Sequence, residues 1–163
     1  MVEISIRPYR SGDGVASAEV FFRAVREGAL ADYSSAQVQA WSPEMPSPEW
    51  FDQRAGDGRL VLVAESEGVV IAYADIEPDG HIDHAFCLPE FIGRGVASRL
   101  YDALELHASS AGMTSLFVEA SEAARRLFQR KGFTEIKRND LIRNGVTLHN
   151  FDMHKDIGPP PRP

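Results

Sequence analysis

Pro89-Glu90-Phe91-Ile92-Gly93-Arg94-Gly95-Val96-Ala97 separates two segments of different period. Before it, residues 81–88 read His-Ile-Asp-His-Ala-Phe-Cys-Leu, the pattern of a strand. After it, Val96, Leu100, Ala103, Leu104 and His107 recur at helical spacing, so a long helix with one buried stripe is expected up to Gly112. Glycines between a strand and a helix let the backbone turn tightly and approach a ligand closely. The free N–H groups and the dipole of a helix start favour an anion such as a pyrophosphate. A plain strand–helix turn explains the same residues equally well. The stretch is not a Walker loop, because no Gly-Lys-Ser/Thr follows. It is not a dinucleotide fingerprint, because Gly93-x-Gly95 has no further glycine at the required spacing.

Outward from this point, strands and helices alternate. Val2, Ile4 and Ile6 mark a first strand over residues 2–7. Asp13 is expected to cap a helix carrying Ala18, Phe21, Phe22, Val25 and Ala29. Ser34-Ser35-Ala36-Gln37 fits a capping box for a short helix through Trp41, and Ser47-Pro48 starts another ahead of Trp50 and Phe51. Residues 60–65, 69–76 and 81–88 read as strands joined by turns short enough to force an antiparallel meander. Residues 115–119, reached through the long helix, should run parallel to residues 81–88 by a right-handed crossover. A helix over residues 121–131 is stopped by Gly132, and Asn144-Gly145 joins residues 133–143 to 146–154 as a hairpin. The alternation 81, 83, 85, 87 places His81, Asp83, Ala85 and Cys87 on one strand face, with Ile82, His84 and Phe86 opposite. One domain over residues 1–157 and a mobile Pro-rich tail over 158–163 are expected.

Composition bounds the function. The chain has 163 residues, 44% of them hydrophobic and 25% charged, with a net charge of −7, which suits one soluble globular domain. An acidic chain without a basic run argues against nucleic acid and anionic membrane as partners. Cys87, the single cysteine, forms no internal disulfide, and no Cys/His cluster has metal-ligand spacing. No apolar run spans a bilayer and the first residues lack the form of a signal peptide, so a cytoplasmic location is expected.

Two motifs carry a family resemblance. Residues 81–97 resemble the fourth strand, Pro-Glu turn and pyrophosphate loop of the GNAT superfamily of acyl-CoA-dependent N-acyltransferases, whose loop reads Gln/Arg-x-x-Gly-x-Gly/Ala. Gly95 and Ala97 match, and Ile92 departs at the first position. Ala124-x-x-Leu127-Phe128-Gln129-Arg130-Lys131-Gly132-Phe133 is similar to the family's Ala-x-x-Leu-Tyr-Glu-Lys-x-Gly-Phe. Tyr33-Ser34, Gln37, Trp41, Ile82-Asp83 and Asn150-Phe151-x-Met153 resemble the YafP-like branch of bacterial acetyltransferases. The resemblance implies an α/β (α+β) fold: a single-domain, mixed, mostly antiparallel sheet with a splayed parallel pair formed by its fourth and fifth strands, and helices on both faces.

The resemblance further implies acetyl-CoA as co-substrate, without a metal. Its pantetheine arm would pair with the backbone of Phe86, Cys87 and Leu88. Its pyrophosphate would sit on the loop Ile92, Gly93, Arg94, Gly95, Val96 and Ala97, with Arg94 and Arg99 near the phosphates. Ser121 and Phe128 would lie at the thiol end. An amine with a pKa near ~10 is mostly protonated at neutral pH and must lose a proton before it attacks a thioester. Asp83 is the leading base, or else a binder of the substrate cation, with His81 beside it and His84 and Glu119 as alternatives. Phe128 stands where the family often has an acidic Tyr, so the thiolate takes its proton from solvent or another group, with Tyr73 and Tyr101 as donors to consider. Cys87 reads as packing and not as a nucleophile. Tyr33, Trp41, His84, His149 and Asn150 are candidate contacts to a small-molecule amine acceptor, and Trp50 belongs to the same lid segment. A non-catalytic acyl-CoA-binding module is the rival reading, and a homodimer is an expectation by analogy.

Overall fold

The computed structural model describes residues 3–159. β1 (Ile4–Pro8), β2 (Leu60–Ser66), β3 (Val69–Ile76) and β5 (Ala85–Cys87) pair antiparallel in that order. β4 (His81–Ile82) lies instead parallel to β6 (Ser115–Ala120), followed antiparallel by β8 (Val146–Asp156) and β7 (Thr134–Arg143). The strand expected over residues 81–88 is therefore two strands in two sheets. The cause is local. His84 O accepts the Asp75 N–H, whereas His81 O accepts the Glu77 N–H, so the register slips by one residue between these bonds. The N–H groups of Asp83 and His84 both turn to the Asp75 carboxylate instead of a strand. This extra residue also resets the alternation. Ile82 packs into the same core as Ala85 and Cys87, not with His84 and Phe86 as strict alternation would have it.

α1 (Gly14–Arg26), α2 (Ser35–Trp41) and α3 (Pro48–Ala55) precede the meander, α4 (Val96–Ser110) makes the crossover, and α5 (Glu122–Arg130) follows β6. Ser34 and Gln37 form the expected capping box, and Ser47 and Ser121 accept the backbone N–H three residues on. Asp13 stands at the N-cap of α1 but makes no cap bond; its carboxylate is held by Arg7 and by the Arg10 N–H. Ala29 lies past α1, in a 3-10 turn over Gly28–Ala31. His107 is exposed, and Ala108 takes its place in the buried stripe of α4. The tail expectation falls largely on residues 160–163, and the start of the first strand on residues 1 and 2; both lie outside the described residues.

The main core fills the space between both sheets and α4 with α5, around Ile76, Ile82, Leu100, Leu104, Leu116, Phe128 and Met153. A second cluster under α1 and α3 holds Val20, Phe51, Val63 and Tyr73, and a third joins Val25, Tyr33 and Val38 to Leu148. Helices thus cover both faces, and the apolar area they remove from water is the main favourable term. Asn144 and Gly145 turn the β7–β8 hairpin with φ of 51° and 77°, as a type I′ turn requires.

Gly80 is where the chain leaves the meander for β6. Its φ is +94°, and a Cβ there would sit 2.3 Å from the Ser115 carbonyl oxygen. Gly80→Ala is expected to cost about 2 kcal/mol or more through backbone strain and steric overlap. A urea titration followed by circular dichroism measures it, and an unchanged midpoint would refute the close approach.

Candidate active site

β5 and β6 diverge after Ile82, and a cavity of about 590 Å³ opens between them. Ala85, Phe86, Val118, Glu119 and Ser121 line its floor, and Tyr33, Trp41 and Trp50 come in from the helical segment. The backbone of β5 is divided between two duties. The Leu88 N–H bonds to Ile71 O and His84 O takes the Asp75 N–H, both toward β3. By the two-residue period of an antiparallel ladder, the backbone of Phe86 also faces β3, while that of Ala85 and Cys87 faces the gap. The expected pairing edge of Phe86, Cys87 and Leu88 is corrected accordingly: Cys87 is free to pair, together with Ala85, and the backbone of Phe86 and Leu88 is committed.

Asp75 organises this region and was missed in the sequence reading. It is 1% exposed. Its Oδ1 accepts the N–H groups of Asp83 and His84 at 3.0 Å each, and its Oδ2 meets Arg54 Nη2 at 2.6 Å and Arg59 Nη1 at 3.2 Å. Buried ionised groups persist only when paired and hydrogen-bonded in this way. The same two guanidiniums bind Asp83 Oδ2 at 2.8 and 3.2 Å. Burial works against ionisation of Asp83, but His84, Arg54 and Arg59 outweigh it and hold the carboxyl below its ordinary value. His84 is uncharged at neutral pH, so the two guanidiniums carry that effect there. A carboxylate so stabilised is a poor proton acceptor.

The two histidines of the site sit in opposite environments. His81 Nδ1 is 2.8 Å from Glu77 and its Nε2 is 3.0 Å from Glu119 Oε2, while its ring stacks on Phe117. Burial works against its proton, but Glu77, Glu119 and Asp83 outweigh it, so its pKa is raised. His84 is packed between Phe21, Trp50 and Phe86, with Nδ1 2.8 Å from the Tyr73 hydroxyl. Burial and then the Arg54 charge push it down to about 4.

The other candidates are distributed as follows. The buried Tyr33 hydroxyl donates to His149 O and accepts the Glu122 N–H, so it ties the lid to β8 and to the start of α5. Trp41 packs against Tyr33 and Phe86 at the cavity wall. The Trp50 ring carries the Arg54 guanidinium at 4.7 Å, so that face is already occupied by a cation. His149 Nε2 is 2.7 Å from Glu122 Oε1, and Asn150 Oδ1 accepts from Asn139; both line the cavity. Ser121 Oγ accepts the Ala124 N–H at 3.3 Å at the cavity floor. Phe128 is 1% exposed and packs edge-on against Tyr101 and Phe133. The Tyr73 and Tyr101 hydroxyls are core groups whose pKa burial raises. The Cys87 thiol is pushed up to about 11 by burial, which leaves it unreactive.

The glycine loop lies beyond the cavity, at the start of α4. Pro89–Phe91 forms a 3-10 turn, Gly93 and Gly95 have φ of 82° and 78°, and Gly95 is the N-cap of α4. Val96, Ala97 and Ser98 open the helix, where N–H groups have no carbonyl one turn back. Ile92 is 59% exposed beside them, and the Arg94 guanidinium lies over the Phe91 ring. Arg99 differs from expectation: its Nη1 donates to Ile4 O on β1.

Comparison with known proteins agrees with this geometry. Residues 29–155 match the model of the acetyltransferase (GNAT) domain. The chain belongs to the GNAT acetyltransferases. It is 33% identical over 153 residues to the uncharacterized N-acetyltransferase YafP of Escherichia coli (strain K12), covering 94% of this chain and 96% of that one. A GCN5-related N-acetyltransferase structure from Rhodopseudomonas palustris superposes with a TM-score of 0.86 at 33% identity, covering 96% of this chain and 98% of the other. The fold is also that of yncA from Salmonella typhimurium, solved with acetyl-CoA, at a TM-score of 0.75 and 22% identity, covering 99% and 98% of the two chains. The GNAT chain described here therefore combines the expected loop and splayed strands with groups the motifs did not name: Asp75, Arg54, Arg59, Glu77 and Glu122. A lone acid in the apolar run Val-Val-Ile-Ala-Tyr-Ala-Asp-Ile was the one available signal for Asp75.

Two stability measurements check this account. Asp75→Leu leaves two guanidiniums and two N–H groups short of a partner and is expected to lose about 3–5 kcal/mol, with Asp75→Asn between it and wild type because one oxygen remains. Equal losses in both variants would contradict the dual role. For His84, the native pKa of about 4 lies below the ordinary 6.5, so the unfolded chain binds the proton first on acidification. Stability is therefore expected to fall as pH drops from about 6.5 to about 4. His84→Gln should flatten that decline in urea midpoints, and an unaltered slope would refute the assignment.

Proposed function

We propose that this acetyltransferase moves the acetyl group of acetyl-CoA to the primary amine of a small molecule by direct attack in a ternary complex. The observation that carries the reading is the gap between β5 and β6, faced by the unpaired backbone of Ala85 and Cys87, which opens at Ala85 onto the cavity that holds His81 and Glu119. Acetyl-CoA supplies the acyl group as a thioester. Its pantetheine arm fits the free edge of β5 as an added strand, and the N–H groups around Gly93–Ala97 fit its pyrophosphate. Ile92 brings no polar side chain, but backbone donors do not require one.

His81 is the proton acceptor in this reading, in place of Asp83. Flanked by two carboxylates, both ring nitrogens donate while the imidazole is charged. Above its raised pKa, Nδ1–H remains on Glu77 and Nε2, the nitrogen on the Glu119 side, carries the lone pair. Glu119 draws the ammonium group by charge, and its proton passes to Nε2. The free amine then attacks the thioester carbon. A backbone N–H of β5 facing the gap stabilises the carbonyl oxygen as negative charge develops. As the intermediate collapses, the C–S bond breaks, the nitrogen sheds its second proton and the departing sulfur takes one up; Ser121 Oγ accepts the Ala124 N–H, so its own O–H is left to hydrogen-bond that sulfur. Arg54 is offset by Asp75 and Asp83, which leaves Glu44 and Glu119 against Arg143 among the charged lining residues, an excess of acid that supports a cationic acceptor.

Thiol release from acetyl-CoA over a panel of small amines tests the transfer, and release with none of them, despite CoA binding, would favour the rival binding module. CoA should raise the melting temperature, by the equivalent of about 2.7 kcal/mol at 100 times its Kd. Gly95→Val, strained at φ +78°, should reduce that rise. The acid limb of kcat at saturating substrates is expected above the ordinary histidine value, because activity needs His81 deprotonated and its pKa is raised. His81→Gln should lower kcat about 10²-fold or more and abolish that limb. If the limb survived in that variant, the base would lie elsewhere.

A further inference from the structure

Two arginines line the cavity. Arg54 is held by Asp75 and Asp83, whereas Arg143 makes no hydrogen bond or ion pair among the described residues. Its place in the fold directs it inward. Leu141 and Arg143 share one face of β7 by the two-residue strand period. Leu141 packs with Trp41 and Phe86 against the cluster of Tyr33 and Leu148, and both Leu141 and Arg143 line the cavity. The position is also fastened. Asn144 Nδ2 donates to Ala40 O at 2.9 Å and Gln37 Nε2 donates to Thr147 O at 3.0 Å, so the end of the β7–β8 hairpin is bound to α2. Glu44, past the end of α2, lines the cavity too but forms no ion pair with Arg143. The Arg143 guanidinium is therefore exposed at the cavity wall, with its N–H donors unused by the protein.

The amine end of the site lies far from this point. Glu119 stands opposite Asp152 on β8, and Arg143 opposite Val146, six residues along the same strand. At about 3.3 Å per residue, that is roughly 20 Å of backbone. With both side chains reaching into the cavity, their charges are on the order of 10–15 Å apart. An α-amino acid carries its ammonium and carboxylate on one carbon, so it cannot reach both. Phe86, Trp41, Leu141 and Leu148 give the wall an apolar stretch. We propose that Arg143 receives a carboxylate of the acceptor, so that the site selects an elongated amino acid with its charges at opposite ends of an apolar body. This inference rests on His81 and Glu119 as the amine end. Each part of such a molecule then meets its complement: the ammonium meets Glu119, the body meets the rings, and the carboxylate meets a planar guanidinium fork that matches its two oxygens. A cavity of about 590 Å³ is in the usual range for a ligand of this size. A diamine in the same place would set like charges together at Arg143.

Two readouts on the full chain test this. In the first, thiol release from acetyl-CoA is followed with γ-aminobutyrate, aminooctanoate and aminodecanoate, each with its amine at the chain end, and with butylamine, octylamine and decylamine. The ratio of kcat/KM between acid and matched amine is expected to be at least about tenfold for the longer pairs, and about one for γ-aminobutyrate, which is too short to span. Arg143→Gln should bring the longer ratios down to about one, and Arg143→Glu should invert them. Each ratio is internal to one variant, so lost folding does not imitate the result. In the second, calorimetric titration into the CoA-saturated chain compares aminodecanoate with decylamine without turnover. The acid should bind at least about tenfold tighter, and that margin should vanish in Arg143→Gln. Selective binding without thiol release would count against the transfer and for this inference. Equal ratios at every length in wild type, a full advantage already with γ-aminobutyrate, or an advantage that survives in Arg143→Gln overturns it.

Discussion

One buried carboxylate sets the geometry on which the rest depends. A β-strand cannot leave its sheet without abandoning backbone hydrogen bonds, and abandoned bonds in a protein interior are costly. Asp75 supplies the missing acceptor for two consecutive N–H groups, and the chain can then switch its strand partner from β6 to β3 between Ile82 and Ala85. The carboxylate needs counter-charge in turn, and Arg54 and Arg59 reach it from α3 and from the residue before β2. The cavity, the division of the sheets and the position of α3 are thus solved together. Moving any one of these groups would disturb the other two.

That arrangement also divides the labour of two histidines only three residues apart. His81 lies before the break and looks toward carboxylates; His84 lies after it and looks toward aromatic rings and a guanidinium. Identical side chains therefore hold opposite preferences for the proton. The extra residue at the break is what sends them to different surroundings. Asp83, between them, gives its charge to the arginines and so serves the scaffold more than the chemistry.

Much of this was legible in the sequence because local signals agree with the global fold. The Ser34 and Ser47 caps, the Asn144-Gly145 turn, the crossover helix and the glycine loop are all local, and each lies where its residues indicate. The break at Asp83 was not legible, since residues 81–88 satisfy strand patterning throughout and only a side chain from a neighbouring strand interrupts them. His107 was assigned to a buried stripe because periodicity does not distinguish it from Ala108 one position on. The base followed the same logic: Asp83 carries the right chemistry on the right strand, but its value as a base is fixed by Arg54 and Arg59, which are distant in sequence. Ion pairing between elements has no sequence period. Burial patterns do, and so the fold was more readable than the site.

The single cysteine shows what the β5 edge asks of its residues. Cys87 offers its backbone to the open gap and its side chain to the core, where the thiol donates to Leu88 O and stays protonated. At neutral pH almost none of it is thiolate, the form that attacks peroxide and disulfides. With no second thiol in the chain, no internal disulfide can form. The wall of the cleft is therefore indifferent to the dithiol–disulfide balance that reshapes folds built on paired cysteines.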